Sequence, residues 1–145
     1  MDFMTALDIA ASGLSAERTH LNVISMNLAN VNTTRTPDGG PYRRKSVVFR
    51  STPVESPFSR AMQSVLDQEI RGVRVAGVIT DNRPLKQVYE PGHPDANGQG
   101  YVSYPDINAV EEMANMITAI RSYEANVATV TSIKTMFNKA LDLGR

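Results

Sequence analysis

Residues 107–143 read INAVEEMANMITAIRSYEANVATVTSIKTMFNKALDL, and this stretch decides the fold. Met113, Met116, Ile120, Tyr123, Val127, Val130, Phe137 and Leu141 follow one another at alternating steps of three and four, with Lys134 as the one break. Such steps stack side chains on one face of a helix. A repeat of seven is the pattern of a helix lying along another helix. Neither Pro nor Gly occurs between Pro105 and Gly144, so the spacing predicts one helix of roughly 50 Å, at about 1.5 Å per residue.

The other end of the chain has the same rhythm. Phe3, Leu7, Ala10, Leu14, Leu21, Ile24, Leu28 and Val31 form a stripe interrupted only at Glu17, which predicts a helix over residues 2–32. A compact globule of this length has a radius of gyration of about 15 Å. Two helices of this length outrun it, so the termini are expected to pair as a coiled-coil-like stalk. Small residues crowd the first helix, and Gly13 in its interior should cost about 1 kcal/mol relative to Ala. Either it is a tolerated defect with a slight bend, or it marks a close helix contact in an assembly. Ile9, Val23, Val110, Ile117 and Ile133 lie off the two stripes and would be wet in a solitary molecule. Each would contribute on the order of 1.5–3 kcal/mol if buried, which favours repeated head-to-tail contacts between subunits. A corollary is that the isolated termini are disordered and fold on joining neighbours.

Between the helices the period changes. Asn27, Asn30, Asn32 and Thr33 bring the first helix to an end, because Asn and Thr compete for backbone hydrogen bonds. Pro37-Asp38-Gly39-Gly40-Pro41 is a turn. Residues 42–50, 72–80, 85–89 and 101–104 read as short strands. Gly77 marks a bulge, residues 51–69 form a long loop, and the Pro- and Gly-rich run 91–98 is turn chemistry. Asp106 or Asn108 caps the last helix, with Glu111 and Glu112 in its first turns, where the dipole favours negative charge. The division is thus 1–34 as N-terminal helix, 35–106 as β-rich insert and 107–145 as C-terminal helix, an α+β fold.

The 145 residues hold 15 basic and 15 acidic side chains and no Cys or Trp. Neutrality gives no global pull toward nucleic acid or anionic lipid, and the absence of Cys excludes disulfides and thiolate metal sites. Arg43, Arg44, Lys45 and Arg50 form a short basic run without helix-turn-helix or aromatic stacking signals. It reads as a solvated strand face or a contact to an acidic protein surface. No apolar run spans a membrane, and the N-terminus lacks the basic start and apolar core of a secretory signal.

Catalytic chemistry is thin. His20 lies among packing residues. His93 with Asp95 could begin a metal site, but no further ligands cluster nearby. A hydrolase built on Glu111, Asp95 and His93 is the weakest reading, because Glu111 and Glu112 point about 100° apart on a helix. Glu124 beside Tyr123 is either a register-fixing buried charge or a solvated flank. No cofactor or metal is expected.

The segment ASGLSAERTHLNVISMNLANVNTT, residues 11–34, resembles the amino-terminal signature of the flagellar rod and hook protein family, with its Asn27-x-Ala29-Asn30-x-Asn32-Thr33 ending. GGPYRRKSVVF (39–49), HPDANGQGYVSYPDIN (93–108) and EEMANMITAIRSYEAN (111–126), with the Leu-Asp-Leu-Gly-Arg end, are similar to its proximal-rod branch. The family often has paired Asn where Met26-Asn27 stands. The resemblance implies a structural subunit of a hollow shaft crossing the periplasm that transmits torque. Copies of the chain and other rod proteins would pack by their terminal helices, with the insert further out. It also implies export without a cleaved signal, through a gate that Phe3 and Leu7 resemble residues for engaging. The alternative is a soluble, coiled-coil-dimerised binding module whose insert holds a ligand.

Overall fold

The computed structural model describes residues 3–54 and 70–144. Helix α1 spans Phe3–Ala29, strands β1 to β4 span Lys45–Pro53, Arg71–Thr80, Lys86–Tyr89 and Tyr101–Tyr104, and helix α2 spans Ala109–Leu143. The fold is α+β: two long terminal helices packed on each other, with a small β-rich region between them. Most of the expected loop 51–69 lies outside the described residues, although Ser51, Thr52 and Pro53 belong to β1.

Asn108 caps α2, its side-chain oxygen accepting from the Val110 and Glu111 amides. No Gly breaks the following 35 residues, and Gly144 ends them with its N–H on the Leu141 carbonyl. The helices run antiparallel. Asn27 at the end of α1 meets Glu112 at the start of α2, and Phe3 meets Phe137 edge-on at 5.9 Å between ring centroids.

The seam of α2 is offset by one residue from the apolar stripe. Glu112, Ala119 and Ile133 are buried, with Met116, Tyr123, Asn126 and Val130 half-buried between them. This too is an unbroken three-four alternation. It shares Met116, Tyr123 and Val130 with the expected stripe but takes Glu112, Ala119, Asn126 and Ile133 in place of Met113, Ile120, Val127 and Lys134. The physical reason is the small-residue surface of α1. Ala10 and Ala16 are buried, and a Cβ on Gly13 would lie 3.1 Å from Asn126 Nδ2. The expectation that Val23 and Ile133 would be wet is therefore corrected, since both are buried. Gly13 is a close contact, made here within the chain.

β1 and β2 pair antiparallel as a two-stranded ribbon, with Lys45 opposite Thr80 and Pro53 opposite Arg71. The register shifts between Val48 and Phe49, opposite Gly77 and Val75, so the bulge falls beside Gly77. The ribbon runs back along α1. Lys45 is tied to Asn27, Phe49 stacks edge-on against His20, and the Val73 amide donates to Ser12 Oγ. Gly72 is required there, because a Cβ would come within 2.9 Å of that Ser12 oxygen. β3 and β4 form a second antiparallel pair, anchored by Val102, which is fully buried.

Candidate assembly surface and its anchoring junction

The end of α1, the start of α2 and the start of the ribbon converge on Asn27 and Glu112, each about 1 % exposed. Asn27 Nδ2 donates to the Lys45 carbonyl at 2.8 Å and to Glu112 Oε2 at 3.0 Å. Its Oδ1 accepts from the Lys45 amide at 2.9 Å and the Tyr42 hydroxyl at 3.1 Å. Arg44 donates Nε and Nη2 to Glu112 Oε1, at 2.8 and 2.6 Å, and Nη1 to Ser46 Oγ. A buried charge without a partner is costly. Here both carboxylate oxygens are engaged, and no buried side-chain polar atom among the described residues lacks a partner. Burial, and then the Glu112 carboxylate, push the Tyr42 hydroxyl above its ordinary pKa.

The motif residues after Asn27 do different work. Asn30 Nδ2 donates to the Met26 carbonyl, and its Oδ1 accepts from Thr33 Oγ1, which closes the helix end. The Thr33 carbonyl accepts the Tyr42 amide and so carries the chain into the junction. Asn32 is exposed. The Met26 side chain is also exposed and only its carbonyl is used, so the departure from paired Asn leaves the helix-end bonding intact.

The one-residue offset of the seam leaves a second face of α2 open. Val110, Met113, Ile117, Ile120 and Val127 are all exposed, Val110 at 75 % and Ile117 at 54 %. They form their own three-four alternation, completed by exposed Glu124. Nearer the end of the helix, Phe137 and Leu141 are exposed as well. On α1, Ala10 and Ile24 are buried, Leu7, Leu14, Leu21, Leu28 and Val31 are half-buried, and Phe3 is exposed. Within the chain, the α1 stripe is thus largely engaged, while five of the eight apolar residues of the α2 stripe are exposed.

The remaining polar candidates are held locally. His20 shares a hydrogen with Glu17 at 3.3 Å and lies against Phe49. His93 Nδ1 accepts the Asp95 amide, Asp95 Oδ2 accepts from Thr34, and Glu111 is exposed on α2. The basic run is dispersed: Arg44 binds Glu112, Lys45 lies over the Tyr42 ring, and Arg50 sits far along β1. Glu124 is solvated, and the buried charge that spans the helices is Glu112. The junction escaped notice in the sequence because Asn27 and Glu112 are 85 positions apart; the one available signal was an Asn-rich helix end matched by a paired-carboxylate helix start. Among the described residues no helix is long and apolar enough to cross a membrane.

Two family profiles match the chain. Residues 7–35 fit the family described as flagella basal body rod protein, and residues 99–143 fit flagellar basal body rod FlgEFG protein C-terminal. The chain is 45% identical to the flagellar basal-body rod protein FlgC of Borreliella burgdorferi, over 97% of each. It is 41% identical to that of Salmonella typhimurium over the full length of both, and 36% identical to that of Bacillus subtilis over 97% of each.

Proposed function

This chain belongs to the family of flagellar basal-body rod proteins, and on that footing we propose that it is a structural subunit of the proximal rod, where it packs by its helices into a hollow shaft that transmits torque. The observation that carries this reading is the second heptad face of α2, Val110 through Val127, which the intramolecular pair leaves open. A helix apolar on two faces needs two partners. α1 supplies one, and a neighbouring subunit supplies the other.

The subunit-packing residues of α2 are then Met113, Ile120, Val127, Phe137 and Leu141 with Val110 and Ile117, while α1 adds Phe3 at its exposed end. The chain divides at 34/35 and 106/107 into two helical parts and an insert. It performs no catalysis, enters through the flagellar export gate without a cleaved signal, with Phe3 and Leu7 engaging that gate, and resides in the periplasmic part of the basal body beside other rod proteins. The likeness to rod proteins over the whole length supports the place in the basal body beside other rod proteins and lends nothing to the ligand-binding module.

The test is Ile117→Asp, a charge in the middle of the open face, expressed in cells lacking their own copy. The folded chain should accumulate, but basal bodies with a complete rod should be missing. Normal motility with this variant would remove the basis for the reading.

A further inference from the structure

Helix α1 carries a second stripe, on its outward side. Asp8, Ala11, Ser15, Arg18, Asn22 and Ser25 are all exposed and follow one another at alternating steps of three and four, so they share one face. That face points away from α2, which α1 meets at Gly13, and from the ribbon, which it meets at Ser12 and His20. Its residues are small or polar, so apolar periodicity does not pick it out. The open face of α2 has a matching form. Beyond Val127 it continues at the same steps through Thr131 to Lys134, both exposed. Each of the two faces therefore holds one acidic and one basic residue: Asp8 and Arg18 on α1, Glu124 and Lys134 on α2.

We propose that the open face of α2 receives the outward face of α1 from a second copy of this chain, antiparallel, with Glu124 opposite Arg18. The proposal rests on the rod-subunit reading above and names the occupant of the face that carries that reading. The register of the two stripes is the argument. With Glu124 opposite Arg18 they stay in step: Ile117 meets Ser25, Ile120 meets Asn22, Val127 meets Ser15, and Lys134 meets Asp8. Large side chains then face small ones, and both charged positions face opposite charges. Sliding one helix by a heptad puts Glu124 opposite Ala11 or Ser25 instead. In parallel pairing Glu124 meets Ser15 or Asn22, or it meets Asp8 while Lys134 meets Arg18, which sets like charges together twice. Pairing two α2 faces through Glu124 and Lys134 sets Ile120 against Asn138. Charged and polar residues within such a stripe fix register and orientation, and here they select one arrangement. Copies that point the same way present α2 of one antiparallel to α1 of the next. Each copy offers one face and receives on the other, so the contact is head-to-tail and propagates.

Charge reversal in cells lacking their own copy tests this. Arg18→Glu and Glu124→Arg, each alone, set like charges together and should give about tenfold fewer complete rods, with motility falling in step. The isolated variants should melt at the same temperature as the unmodified chain, because both side chains are exposed. The two changes together should bring rods back near the unmodified level. Normal rods with either single variant would overturn the pairing, and so would a double variant that fails to recover. A melting temperature lowered in the single variants and repaired in the double one would place the pair within one chain and also overturn it. The chain has no Cys, so the register is open to direct reading as well. Basal bodies built from a chain with both Ser15→Cys and Val127→Cys should give covalent multimers on oxidation, and either change alone should give none. Assembled rods that yield only monomers would overturn the register. The unmodified chain serves as the control: its failure to restore motility would sink the rod-subunit reading itself, whereas normal assembly of the single reversals would sink only the pairing.

Discussion

A single side chain, Glu112, joins the three parts of the molecule. Its carboxylate takes two bonds from Arg44 and one from Asn27 in a site with about 1 % exposure. Removing one partner of such a pair leaves the other uncompensated, typically at a cost of about 3–5 kcal/mol. Arg44 retains some access to water, which places Glu112→Ala at about 3 kcal/mol, the lower end of that range; urea unfolding measures it. Tyr42→Phe should cost only about 1 kcal/mol, because Asn27 Oδ1 keeps the Lys45 amide. The raised pKa of Tyr42 carries a sign. The folded state holds the phenol proton more tightly than the unfolded chain, whose value is about 10. The contribution is thus complete below pH 10 and lost as pH rises through the higher folded value. In alkaline unfolding, Tyr42→Phe should lose less stability across that window than the unmodified chain does.

At the scale of elements, both helices, all four strands and the bulge were legible in the sequence, because period, turn residues and caps are local. The pairing face of α2 was not. Its seam is occupied at alternate positions by Glu112, Ala119 and Asn126, and a search for apolar periodicity passes over two polar residues and a small one. The apolar stripe next to it, Met113, Ile120 and Val127, was the stronger signal yet faces outward. The close approach that selects the small seam is testable at Gly13. Gly13→Ala gains about 1 kcal/mol of helix propensity but presses a methyl group against Asn126, so alone it should change stability little. Combined with Asn126→Ala, the full gain should appear, and a double-mutant cycle in urea reads the coupling. Gly72→Ala has no such release. Its Cβ would meet Ser12 Oγ, which is already held by the Ile9 carbonyl and the Val73 amide. It should loosen the ribbon from α1, and amide exchange at Val73 should report that.

At the scale of the whole molecule, the described residues bury little apolar surface for their number. Among the described residues the buried apolar side chains are three alanines, three valine or isoleucine side chains besides Val102, and Tyr42 and Pro105. Against this stand helices of 27 and 35 residues out of 145. Much of the large apolar surface of the pair lies instead on the open face of α2, where Val110, Met113, Ile117, Ile120 and Val127 are exposed, and the proposed packing would bury it. Helix content in the dilute, unassembled chain should accordingly fall well short of what these two helices would give, and should rise on assembly. Loss should be greatest toward the Phe3 and Leu143 ends, which lie furthest from the Asn27–Glu112 junction. Circular dichroism against concentration, with amide exchange to locate the ordered segment, checks both points. A dilute monomer with somewhat over two-fifths of its residues helical and a sharp melt would mean that the seam of alanines suffices, and that neighbours add attachment without adding fold.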